Sequence, residues 1–72
     1  MNEKQFLKMF GKRIKELREK ENLTQLNLAE KVGFSPNFIG MIERGERNTK
    51  VFNSYKIANA LNCSLEELFK GI

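Results

Sequence analysis

The chain has 72 residues and a formal net charge of +4. That length allows one domain, residues 1–72, near the lower limit for a self-sufficient core, and leaves no room for a separate catalytic or ligand-binding domain. A single cysteine, Cys63, excludes an internal disulfide, the absence of histidine removes the commonest general base and metal ligand, and the mild positive charge favours a polyanionic partner.

No apolar run approaches the roughly 18 residues needed to span a membrane. Lys4, Lys8 and Lys12 interrupt any signal-peptide profile. With a lone thiol suited to a reducing compartment, this predicts a cytoplasmic protein.

The first predicted helix runs from Glu3 to Lys20. Phe6, Phe10, Ile14 and Leu17 recur at intervals of four, four and three, with Leu7 and Met9 beside them. Lys4, Lys8, Lys12, Lys15 and Glu19 fill the other side. A basic amphipathic helix can lie on a membrane, but so short a chain needs this stripe for its own core. Asn22 then offers a residue that tolerates the left-handed conformation of a helix stop.

Thr24 is a natural N-cap for a second helix, Gln25 to Val32, whose stripe is Leu28, Ala29 and Val32. Gly33 supplies a left-handed turn. Ser35-Pro36 is a cap followed by proline at the first helical position. It opens a third helix with Phe38, Ile39 and Ile42 inward, ending at Gly45. A fourth helix is expected from about Lys50 to Leu61, capped by Thr49 or Asn48, with Val51, Tyr55, Ile57, Ala58 and Leu61 as burial candidates. Asn62 is a second left-handed stop. Ser64 to Glu67 is a capping box opening a short fifth helix with Leu65, Leu68 and Phe69 on its apolar side. No segment shows strand alternation, so the expected fold is all-α, five short helices around one core.

Two helices joined by a few residues containing glycine form a helix-turn-helix unit, here about residues 25–44. The spacing of Gln25, Ala29, Gly33, Ile39 and Ile42 resembles that of the Cro/cI-type (XRE) family of DNA-binding domains. LREKENLTQ before the unit, and IERGERN and KIANALNCSLEELF after it, extend the resemblance over Phe6 to Phe69. It implies a compact, lambda-repressor-like domain whose third helix enters the major groove of double-stranded DNA. The loop after that helix lacks the proline common in the family.

With Phe38, Ile39 and Ile42 inward, the candidate reading face is Ser35, Pro36, Asn37, Gly40, Met41 and Arg44. The Asn37 amide can pair bidentately with adenine N6 and N7. Ser35 has a capping duty that already explains it. Pro36 and Met41 offer only apolar contact to a thymine methyl. Gly40 costs ~1 kcal/mol in a helix relative to alanine, which implies either close backbone approach to DNA or simple tolerance. So few polar readers leave part of the specificity to DNA shape. Gln25 resembles the family's phosphate-binding glutamine at a helix N-terminus. Arg44, Arg47, Asn48 and Lys50 cluster where relatives grip the backbone, and Arg13 is a candidate for flanking phosphates. Arg18 and Glu43 match a structural salt bridge of relatives.

The function expected is a sequence-specific transcriptional regulator, a repressor or a small controller, bound to an inverted-repeat operator as a homodimer. Leu65, Leu68, Phe69 and Ile72 are the candidate dimer surface, unless they only close the core. No cofactor or metal is implied. Such binding can block RNA polymerase or recruit it, and short relatives include antitoxins that pair with a toxin. An enzyme is disfavoured because no nucleophile–base pair or ligand cluster is present. A protein-interaction module on the same fold would carry acidic or apolar residues where this chain has Arg44, Arg47 and Lys50.

Overall fold

A computed structural model describes residues 1–72 as five helices: α1 (Glu3–Lys20), α2 (Gln25–Val32), α3 (Pro36–Glu43), α4 (Val51–Ala60) and α5 (Leu65–Leu68). Each of the first three has a side-chain oxygen on its orphan amides. Asn2 accepts from Gln5 N in a box that sequence analysis did not identify, Thr24 accepts from Asn27 N, and Ser35 accepts from Phe38 N ahead of Pro36. Ser64 and Glu67 form the expected reciprocal pair at α5. The stops are left-handed where expected: Asn22 at φ 58°, Gly33 at 78° and Asn62 at 57°.

The periodic stripes meet in one core. Ile14, Leu28, Ile39, Ile42, Ile57 and Leu68 are completely buried, each contributing about 1.5–3 kcal/mol of transfer free energy. Ala29, also fully buried, lets α2 and α3 approach. Phe6, Phe10 and Phe69 form a stack that closes the α1–α5 side, with centroids 5.2–6.2 Å apart. A closer approach occurs at Gly11. A Cβ there would lie 2.3 Å from the Ile42 carbonyl oxygen, so α1 rests its backbone directly on the C-terminal end of α3.

The fourth helix departs from expectation. Neither Thr49 nor Asn48 caps it. Lys50 is the N-cap residue and no side chain bonds the first amides. Asn48 instead accepts from Thr49 N, and the Thr49 hydroxyl accepts from Asn53 Nδ2. Ile57, Ala58 and Leu61 are buried as expected, but Val51 is 80% exposed and Tyr55 49%. Ser54, one turn before Ile57 and Ala58, takes the inward position. A three-to-four spacing from Ile57 selects Ser54 rather than Tyr55, so the apolar letters at 51 and 55 were a poor guide to the inward face.

Leu68 also requires correction. It is a fully buried core residue and unavailable to a second chain. Leu65, Phe69 and Ile72 are half-buried against the same core.

Candidate nucleic-acid interface

One buried network holds α3 in place. Arg18 from α1 meets Glu43, the last residue of α3, through two parallel bonds: Nε to Oε2 at 2.6 Å and Nη2 to Oε1 at 3.1 Å. Its third nitrogen donates to the Leu23 carbonyl at 2.8 Å. The Arg18 and Glu43 side chains are only 9% and 2% exposed. Their hydrogen bonding raises the guanidinium further above its ordinary range against the opposing effect of burial. Every buried polar side-chain atom has a partner, the condition under which such a pair is tolerated in a core.

Gln25 joins this network. Its Nε2 donates to Glu43 Oε1 at 3.0 Å. The side chain is thereby fixed beside the end of α3, leaving its own carbonyl oxygen without a protein donor. Arg18 and Gln25 thus share the Glu43 Oε1 acceptor, and nothing in the spacing of a single chain reveals it.

Outside this frame, Pro36 and Asn37 of α3 and its cap residue Ser35 are exposed, with Met41 half-buried. Phe34 and Phe38 pack edge to face at 5.1 Å and shape the turn below them. Gly40 does not belong to this exposed surface. It is buried, with Arg44 Nη1 3.0 Å and Gln25 Oε1 3.5 Å from where a Cβ would stand. Its small size therefore serves the side chains folded over it, a reason that neither sequence reading supplied.

The basic groups after α3 divide. Arg44 donates from Nε to Glu46 Oε2 at 3.0 Å; that bond raises the arginine and lowers the Glu46 carboxyl from their ordinary values. Asn48 is exposed and bonds Glu3 Oε2 at 2.9 Å, tying the loop to the start of α1. Arg47 and Lys50 are exposed with no ion-pair partner within 4.0 Å.

Arg13 is elsewhere. Its Nε and Nη2 both donate to the Glu67 carbonyl of α5, at 3.1 and 2.9 Å, and Nη1 lies 4.0 Å from Glu16. Two residues along a helix turn the side chain by about 200°. Arg13 therefore faces away from the side on which Gly11 touches α3. It closes the C-terminal end of α5 and is withdrawn from the DNA-facing candidates.

No group of three or more His, Cys, Asp or Glu residues is placed to hold a metal. The surface that emerges is one short rigid helix with exposed N-terminal residues, a glutamine locked beside it, and basic side chains following it. Such a surface can enter a groove and be held by flanking phosphates.

The same architecture occurs in known proteins. A family model described as helix-turn-helix, HTH_3, matches residues 14–68. An uncharacterised HTH-type transcriptional regulator of Archaeoglobus fulgidus is 42% identical over 57 residues, spanning 79% of this chain and 80% of its own. The control protein C.MunI of a Mycoplasma species is 38% identical over 64 residues, 88% of this chain and 86% of that one. The crystal structure of the restriction-modification controller protein C.AhdI from Aeromonas hydrophila matches with a TM-score of 0.91 at 38% identity, covering 96% of this chain and all of the other. The P22 c2 repressor, solved in complex with a synthetic operator, matches with a TM-score of 0.78 at 35% identity, over 88% and 96% of the two chains.

Proposed function

The chain belongs to the HTH_3 helix-turn-helix family, and from that premise we propose that it is a transcriptional regulator that reads double-stranded DNA with α3 in the major groove. The observation that carries the reading is the Arg18–Glu43–Gln25 network. It fixes α3 against α1 and α2, while the exposed first turn of α3, Ser35 to Asn37, is left unpacked. Asn37 is the base reader, suited to adenine. Ser35, Pro36 and Met41 line the groove contact, and Gln25, Arg44, Arg47, Asn48 and Lys50 hold phosphates on either side. Selection from a random duplex pool with the purified protein should enrich one inverted repeat. Absence of any enriched sequence would overturn the proposal.

The active form is a homodimer. A single module of this kind buries only about 600–1,000 Å² on DNA, so two half-sites are the route to useful affinity. The dimer surface is the exposed side of α4, Val51, Phe52 and Tyr55, with the half-exposed Leu65, Phe69 and Ile72 of the C-terminal segment as the alternative. Three of the chain's six exposed large apolar side chains are on this one turn of α4, and Phe52 and Tyr55 are already stacked at 6.2 Å. Clustered apolar surface of this kind marks an interface. Sedimentation equilibrium should give a dimer for the wild type and a monomer for Phe52→Ser/Tyr55→Ser, with the helical circular dichroism spectrum unchanged.

A further inference from the structure

The lysines of α1 remain outside this scheme, and their placement is informative. Lys4, Lys8 and Lys15 stand seven and three residues before Gly11 and four after it, so all three share its face of the helix. That face is the one pressed onto the end of α3. Gly11 meets the Ile42 and Glu43 carbonyls, and Gly45, the first residue beyond α3, stands against the Lys8 backbone: a Cβ there would be 2.9 Å from Lys8 Cα. Lys8 therefore borders the basic segment Arg44–Lys50, with Lys4 one turn before it and Lys15 two turns after it on the same face of α1. The sequence pattern alone places these lysines only on the side of α1 opposite its apolar stripe.

Lys4, Lys8, Lys12 and Lys15 are all exposed and, like every other lysine of the chain, have no carboxylate within 4.0 Å. Lys4, Lys8 and Lys15 stand on one helix, with gaps of four and seven residues. From Lys4 to Lys15 the row rises about 16 Å along α1, close to the axial length of five base pairs at 3.4 Å per nucleotide of each strand.

We propose that Lys4, Lys8 and Lys15 form a second phosphate track, which holds the DNA backbone flanking the groove occupied by α3. The proposal rests on the DNA-reading role of α3. It assigns to α1 a sequence-independent share of the affinity, separate from the contacts of α2, α3 and the following loop. Each lysine on a phosphate releases counterion and contributes about 0.9 to the slope of log affinity against log[salt]. Three per protomer in a two-fold complex amount to a slope of about 5.

The test is a salt titration of wild type and Lys4→Gln/Lys8→Gln/Lys15→Gln on the selected duplex and on an unrelated duplex of equal length. The track predicts that the slope falls by two or more on both duplexes. It also predicts that the preference for the selected site is retained and the melting temperature is unchanged. A fall of less than two overturns it. If the lysines serve only to offset the negative C-terminal end of α3, the melting temperature drops while the slope stays, and the track is refuted. Adsorption of the wild type to anionic phosphatidylserine vesicles with an unchanged DNA slope would assign the row to a lipid surface and equally overturn it. Failure of the DNA-reading role itself appears differently, as a wild type with no preference between the two duplexes.

Discussion

Replacing Glu43 by alanine should destabilise the fold strongly, whatever it does to DNA binding. The substitution removes both acceptors of Arg18, whose side chain is 9% exposed, and the partner of Gln25 Nε2. An uncompensated buried charge costs about 3–5 kcal/mol. A 72-residue domain has roughly 4–11 kcal/mol of stability in total, at 0.05–0.15 kcal/mol per residue. The variant therefore loses about a quarter of its stability or more. At about 4–8 °C per kcal/mol for a small domain, the melting temperature should fall by at least about 12 °C in a thermal scan followed by circular dichroism. The double variant Arg18→Met/Glu43→Met is the control. Removing both leaves no buried charge unpaired, only the half-buried Gln25 Nε2 and the Leu23 carbonyl without partners, so it should recover most of the loss. A decrease below about 1 kcal/mol for Glu43→Ala, the size typical of an exposed pair, would refute the buried-network argument. Loss of DNA binding in this variant is then a folding effect.

Other substitutions separate packing from recognition. Gly11→Ala drives a Cβ into backbone carbonyls and should cost about 3 kcal/mol. Gly33→Ala meets no atom and pays only for its left-handed backbone, about 1–2 kcal/mol; urea unfolding that ranks them in reverse would contradict the α1–α3 contact. Asn37→Ala should keep the wild-type melting curve yet lose about 1–3 kcal/mol of discrimination at one adenine position, measured by competition with duplexes altered at that base pair. Burial chiefly, with the nearby Glu67 charge, pushes the Cys63 thiol up. Its thiolate is therefore scarce near neutral pH and grows only as pH rises, so iodoacetamide should alkylate it several-fold more slowly than free cysteine at pH 8.

The fold was legible where backbone chemistry is local. Caps at Thr24, Ser35 and Ser64 and left-handed stops at Asn22, Gly33 and Asn62 depend on a few neighbouring residues, and all six stand where the sequence put them. Legibility failed at α4, where Val51 and Tyr55 were assigned inward on hydrophobicity although Ser54 has the correct phase with Ile57. It failed too where a side chain's partner lies far along the chain. Arg13 finds a carbonyl 54 residues away, and Gly40 is covered by Gln25 and Arg44. Gly11 carried a signal that went unused. A glycine in the middle of an 18-residue helix costs about 1 kcal/mol and sits on the stripe of Arg18, which points to a close helix crossing.

The central claim, that α3 reads DNA from the major groove as one half of a two-fold pair, is tested most directly by dimethyl sulfate protection of the selected duplex. Guanine N7 lies in the major groove and adenine N3 in the minor groove. A two-fold pair of α3 helices gives two stretches of protected guanine N7, centred one helical turn apart at about 10–10.5 base pairs. Protection confined to adenine N3, or no protection at saturating protein, would contradict it.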